Sequence, residues 1–152
     1  MGINTLSLKT LGISQQVEET GLTFQENSIL KATEYYSHSN IPTLADDSGL
    51  IVEVLNGNPG IRSARYAGNH ATDQQNRDKL LSELTTTPLP MRKAVFVCVI
   101  TVILQQNKRK VFQGEINGNI ATKETGSMGF GYDSIFIPKQ EKRTMAQLTD
   151  AE

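Results

Sequence analysis

Helical spacing of apolar residues alternates along this chain with short β-branched runs. Thr23-Phe24-Gln25-Glu26 has the spacing of a capping box, in which the threonine hydroxyl caps and Glu26 reaches back to the cap amide. A helix is expected from there to about His38, with Ile29, Leu30, Thr33 and Tyr36 on one face, ended by Asn40-Ile41-Pro42. Strands are expected at Thr43 to Ala45 and Leu50 to Leu55, with Asp46 to Gly49 as the loop between them and Asn56-Gly57-Asn58-Pro59-Gly60 as a turn. Thr72 and Gln75 repeat the capping-box spacing ahead of a second helix, whose apolar face is Leu80, Leu81 and Leu84 and which Thr85 to Pro90 stops. Val95 to Leu104 reads as a central strand, Gln105-Gln106-Asn107-Lys108 as a turn, and Lys110 to Ile116 as the hairpin partner. Gly126 to Gly131 is a glycine-rich loop and Ser134 to Ile137 a short closing strand, while Met1 to Val17 is weakly patterned, a short strand or a loop. Strands and helices mix without strict alternation. The predicted fold class is therefore α/β, with a mixed β-sheet flanked by helices and not a doubly wound parallel sheet.

Composition narrows this picture only slightly. A length of 152 residues suits one domain. With 15 Lys and Arg against 16 Asp and Glu, the net charge of −1 gives no electrostatic case for nucleic-acid or membrane partners. The single cysteine, Cys98, lies in an apolar run, where it reads as a buried small hydrophobe and suits a reducing, cytoplasmic setting. No signal peptide is expected, and the run from Ala94 to Leu104 falls well short of the ~20 residues a membrane-spanning helix needs. His38 and His70 lack partners at metal-ligand spacing and read as surface residues.

Three segments could carry chemistry. Asp46-Asp47-Ser48-Gly49 places adjacent carboxylates where they could hold Mg2+, an ion that prefers oxygen ligands, or take a proton from an attacking water. An acidic β-turn is the plainer local explanation. Glu18-Glu19-Thr20-Gly21 precedes the first helix and could add an acid to such a shell, with Lys31 on that helix as the matching cation; solvated surface charges explain the same residues. Gly126-Ser127-Met128-Gly129-Phe130-Gly131-Tyr132-Asp133 allows close backbone approach to a ligand. In it Phe130 and Tyr132 could stack on a base and Asp133 could accept hydrogen bonds, although a glycine-rich hairpin loop accounts for it too. Arg62 and Arg65 are candidate phosphate partners or ordinary salt-bridged arginines. Neither GxGxxG nor a lysine-bearing P-loop is present.

Taken in order, Glu18 to Phe24, Glu26 to Ala32, Ala45 to Leu50, Pro59 to Tyr66 and Gly129 to Asp133 resemble the inosine/xanthosine triphosphate pyrophosphatases, the Ham1-type family. The resemblance runs from about Leu6 to the end of the chain. It implies hydrolysis of ITP, dITP and XTP to the monophosphate and pyrophosphate with Mg2+, a homodimer, and an elongated mixed sheet. By position, Asp47 resembles the general base and a metal ligand, and Glu19 the other metal-binding acid. Ser48, Lys31 and Arg65 fall where the family contacts substrate, and Phe130, Gly131, Tyr132 and Asp133 match its base-recognition loop. Two departures stand out. Met1 to Val17 holds no Thr-x-Asn-x-x-Lys phosphate loop, and the sequence stops at Glu152, before the family's lysine and Ser-His-Arg segment. Ser134 also stands where a proline is common. The expectation is one Ham1-like domain over residues 1–152, truncated at both ends, with an inactive nucleotide-binding or dimerisation module as the alternative. An unrelated Mg2+ phosphohydrolase using Asp46 and Asp47 is a third reading.

Overall fold

The computed structural model describes residues 4–105 and 108–149. Its principal elements are α1 (Phe24–Ser39), β1 (Thr43–Val52), α2 (Asp73–Glu83), β2 (Lys93–Gln105), β3 (Lys108–Ile120) and β4 (Phe136–Pro138), with short 3-10 turns at Glu53–Leu55, Gly60–Arg65, Leu89–Met91 and Met145–Gln147. The sheet has four strands in the order β1-β2-β3-β4. The α/β class is as expected, and the described strands are antiparallel. β4 pairs with β3 in the register Gly118↔Pro138, Asn119↔Ile137 and Ile120↔Phe136. Gln106 and Asn107, the expected turn between β2 and β3, lie outside the described residues. The chain divides into two compact units, Met1–Asp47 with Val99–Phe112 and Ser48–Cys98 with Gln113–Glu152.

In the first unit both halves of the capping box form: Thr23 Oγ1 accepts from the Glu26 amide at 3.1 Å, and Glu26 Oε2 accepts from the Thr23 amide at 3.2 Å. Asn40, with a φ of 53°, closes the helix as its amide donates to the Tyr36 carbonyl. The buried stripe of α1 differs from the apolar one read in the sequence. Phe24, Asn27, Ser28 and Ala32 point inward, whereas Leu30 and Thr33 are exposed and Ile29 and Tyr36 only half-buried. The inner face can be polar because its groups find partners: Ser28 Oγ donates to Thr101 Oγ1 at 2.7 Å and lies 3.2 Å from the Ala45 carbonyl. Small residues at 28 and 32 let the helix lie close to Ala45 and Ile103. Ser7 to Gly12 form turns, with no strand among the described residues before α1.

The second unit holds the larger core: Leu50, Val52, Leu80, Leu84, Ala94, Ile120, Tyr132, Ile135 and Phe136. Helix α2 packs here with the expected Leu80 and Leu84 fully buried and Leu81 at the edge. Phe96 meets Phe136 edge-to-face at 4.6 Å between centroids. Arg92 is 4 % exposed, and its guanidinium donates to the carbonyls of Thr87 at 2.9 Å, Ala121 at 2.9 Å and Leu84 at 2.7 Å. It thereby ties the end of α2 to the segments on either side of the core.

Two sequence expectations are corrected by strand geometry. Asp46 to Gly49 are not a loop between two strands but the middle of β1, a single strand of 10 residues. Cys98 is exposed, not buried, because β2 turns Val97 and Val99 inward and so turns residue 98 to the other face.

Candidate active site

The two-residue period of β1 separates the paired acids. Ala45, Asp47 and Gly49 are buried while Asp46 and Ser48 are exposed, so Asp47 alone is carried inward. In the same unit, Lys31 on α1 reaches both acids named from the sequence: its Nζ lies 2.7 Å from Asp47 Oδ1 and 3.3 Å from Glu19 Oε1. Glu19 comes from the segment preceding α1. That segment is fastened by Asn27, which is fully buried and accepts the Gly21 amide at 2.8 Å. A β-carbon at Gly21 would sit 2.6 Å from Asn27 Oδ1, so the approach requires glycine.

The electrostatics of the cluster follow from partial burial. Desolvation pushes the Asp47 carboxyl above its ordinary value, against the opposing pull of the Lys31 ammonium. Burial works against the charge on Lys31, but Asp47 and Glu19 outweigh it and hold its pKa above the usual lysine value. Asp47 Oδ2 and Asn27 Nδ2 are both buried without a well-formed hydrogen bond, although the Asn27 side chain is near enough to pull the Asp47 pKa down. A buried carboxylate oxygen so weakly satisfied invites a cation. No group of three His, Cys, Asp or Glu side chains suited to a metal occurs among the described residues. Two carboxylates nevertheless suit Mg2+, which takes few protein ligands and completes its shell with waters and phosphate oxygens.

The second unit contains a cavity of about 560 Å³ with largely apolar walls. Ser48, Phe130, Gly131, Tyr132 and Asp133 all line it, as do Phe96 and Cys98. Phe130 is 83 % exposed at the cavity's lining. Tyr132 is 5 % exposed and donates its hydroxyl to the Ser63 carbonyl at 2.9 Å, so it is a core residue and cavity wall more than a stacking surface. Asp133 Oδ2 accepts the Phe130 amide at 2.9 Å, and burial pushes its carboxyl above the ordinary range. Arg65 closes the 3-10 turn Gly60–Arg65, half-buried and not among the cavity's lining residues; Arg62 is exposed. The structure thus brings Glu19, Lys31 and Asp47 together, and gathers Ser48 with the Phe130 loop, but does not bring Arg65 to the cavity.

Gly129 has a φ of 76°, and an added β-carbon would collide with the Asp133 carboxylate. Gly129→Ala is expected to lose the Phe130–Asp133 turn and to weaken ligand binding in the cavity, with a strain of about 1–2 kcal/mol from the left-handed backbone alone. Nucleotide titration of the variant by calorimetry checks this; wild-type affinity would refute it.

Sequence reasoning missed Asn27, Asp73 and Arg77. Asn27 lies inside a quoted motif, and Asp73 follows a recognised cap, but nothing local marks what either touches.

The architecture is that of an α/β protein with a carboxylate–lysine cluster in one unit and a ligand-sized cavity in the other. The Ham1 family model matches residues 1–152, and the chain belongs to that family. It is 44% identical over 151 residues to the dITP/XTP pyrophosphatase of Bacillus subtilis, covering 99% of this chain and 76% of the relative. Identity to the dITP/XTP pyrophosphatase of Geobacter sulfurreducens is 45% over 143 residues, covering 94% and 72%. Among solved structures, the Staphylococcus aureus Ham1 protein superposes with a TM-score of 0.88 at 46% identity, covering 96% of this chain and 75% of that one.

Proposed function

We propose that the chain hydrolyses non-standard purine nucleoside triphosphates (ITP, dITP and XTP) to the monophosphate and pyrophosphate, cleansing the cytoplasmic nucleotide pool. The observation that carries this is the cluster around Asp47: a buried carboxylate whose Oδ1 is held by Lys31, a lysine that also reaches the second acid, Glu19. Relatives named dITP/XTP pyrophosphatase at about this identity support the substrate class.

Asp47 is the general base. Lys31 on Oδ1 pulls the Asp47 pKa down against the desolvation that raises it, and the carboxylate accepts the proton of the attacking water. Burial raises the basicity of the carboxylate above that of a solvated aspartate. Water attacks the α-phosphorus, the bond to the bridging oxygen breaks, and pyrophosphate leaves. Asp47 and Glu19 would hold Mg2+, which when bound offsets triphosphate charge. Lys31 and Ser48 are assigned to the phosphates, and Arg65 is retained as a substrate contact on the resemblance alone. Phe130 covers the purine face, Asp133 reads its edge and Tyr132 forms the wall behind it, while Gly131 is retained as a substrate contact on the resemblance alone. A homodimer is part of the same reading, supported by the exposed apolar side chains of Leu44, Leu104 and Phe112. Among the described residues no helix is long and apolar enough to cross a membrane.

Purified protein with Mg2+ is expected to release pyrophosphate from ITP and XTP and much less from ATP or GTP. Release of phosphate instead, or equal turnover of all four, would overturn the proposal. Lys31→Met supplies a pH test. Lys31 lowers the Asp47 pKa, so its removal raises that pKa further, and the acid limb of kcat/KM for ITP shifts to higher pH. An unmoved acid limb would remove Asp47 from the role of base.

A further inference from the structure

Helix α2 grips both polar groups of a single peptide residue in the cavity loop. The Gly131 amide donates to Asp73 Oδ2 at 2.8 Å, and the Gly131 carbonyl accepts from Arg77 Nη1 at 2.7 Å. Asp73 and Arg77 are four residues apart on α2, hence on one face of the helix. Arg77 is itself fixed by two further bonds, Nε to Glu124 Oε2 at 2.9 Å and Nη2 to Gln74 Oε1 at 2.9 Å. Glu124 in turn accepts from Gln74 and from Ser134 Oγ at 3.2 Å. The Arg77 side chain is largely buried, 15 % exposed, so this ion pair is better shielded than an ordinary surface pair. Gly131 adopts a φ of 55° with nothing within 4 Å of where a β-carbon would stand, so its α-carbon faces open space. Its amide and carbonyl are held by the two side chains of α2.

We propose that Asp73 and Arg77, braced by Glu124, are positioning residues that fix the Gly131 peptide and thereby set how tightly and how selectively the loop Phe130–Asp133 holds a purine. The inference rests on the proposed function for its ligand and deepens it by assigning selectivity to residues that need not touch the base. Neighbouring geometry supports this. Phe130 and Asp133 are already joined by a hydrogen bond, so turning the peptide at Gly131 moves the aromatic lid and the edge-reading carboxylate together. A guanidinium can hold a carbonyl, a carboxylate and an amide oxygen at once through its planar fork, whereas a lysine can reach only one or two of them.

The test compares Arg77→Met, Arg77→Lys, Asp73→Ala and Asp73→Asn, each checked for folding by thermal melting. Arg77→Met and Asp73→Ala are expected to raise KM for ITP about tenfold and to narrow the ITP-to-GTP ratio of kcat/KM by a similar factor, with a much smaller change in kcat. Asp73→Asn keeps an acceptor for the Gly131 amide and should restore most of the ratio; Arg77→Lys should fall between. Amide hydrogen exchange gives a readout independent of turnover. In Arg77→Met and Asp73→Ala the Gly131 amide should exchange at least about tenfold faster while the Val99 amide is unchanged. Unaltered Gly131 exchange, or a lowered kcat with unaltered KM and selectivity, overturns the clamp. Faster exchange in a protein whose wild type releases no pyrophosphate from ITP sinks the proposed function while leaving the clamp standing. If Arg77→Met fails to fold, Arg77→Lys and the two Asp73 variants carry the comparison.

Discussion

Asp47→Asn is expected to abolish pyrophosphate release from ITP, lowering kcat by about 10³-fold or more, with little change in melting temperature. General base catalysis by one carboxylate is worth about 10²–10⁴-fold, and Asp47 is also assigned to the metal, so its loss removes two contributions. Stability should survive because the carboxylate is a liability to the fold. It is buried and its pKa is raised by desolvation, so the fold disfavours the charged form. The sign follows directly: a carboxyl whose folded pKa exceeds its unfolded value gains stability on protonation as pH falls through the folded pKa, and a neutral amide mimics that protonated state. The amide oxygen of Asn can still accept from Lys31, which also keeps Glu19 as a partner. Asp46→Asn is the control, since Asp46 sits on the exposed face of β1, and a change within about threefold is expected. Comparable losses in the two variants would show that the strand alternation does not select the base.

Arg92→Ala is expected to produce the largest loss of stability of any single change considered, about 3–5 kcal/mol by urea denaturation. Truncation leaves the carbonyls of Leu84, Thr87 and Ala121 without their donor in a buried setting, where each unsatisfied group costs about 1–3 kcal/mol, partly relieved by entering water. Leu84 caps the C-terminal end of α2, where carbonyls lack helical partners and a cation is favourable. Arg92→Lys keeps the charge but cannot hold three divergent carbonyls, so a loss of about half that of alanine is expected. A loss under about 1 kcal/mol for Arg92→Ala would mean that the carbonyls are satisfied by other means.

Some of this site was legible in the residue order. Both capping boxes were fixed by four-residue patterns, because a cap is a local hydrogen-bond exchange that needs nothing distant. Leu80 and Leu84 followed from helical spacing for the same reason. The acidic pair stands out in the sequence as chemically meaningful, but its setting does not. Ser and Gly beside two aspartates look like a turn, yet pairing to β2 carries the strand straight through them, and sheet contacts outweigh local turn preference. The inner face of α1 was misassigned because apolar spacing counts Leu30 and Thr33 but cannot foresee that Ser28 will meet Thr101, 73 residues away. Cys98 looked buried because an apolar run does not say which of its alternate residues faces the core.

The sequence by itself determined where the two helices begin and which segments carry acids, a lysine and a glycine-rich loop. All of these depend on residues within a few positions of one another. Only the tertiary structure decided that Asp47 and not Asp46 turns inward, that Lys31 lies between Asp47 and Glu19, that Tyr132 is a buried cavity wall where Phe130 is exposed, and that α2 holds the Gly131 peptide. Each of those outcomes is set by which face of an element meets another element distant in the chain. Burial, and with it every shifted pKa, exists only once those faces are packed.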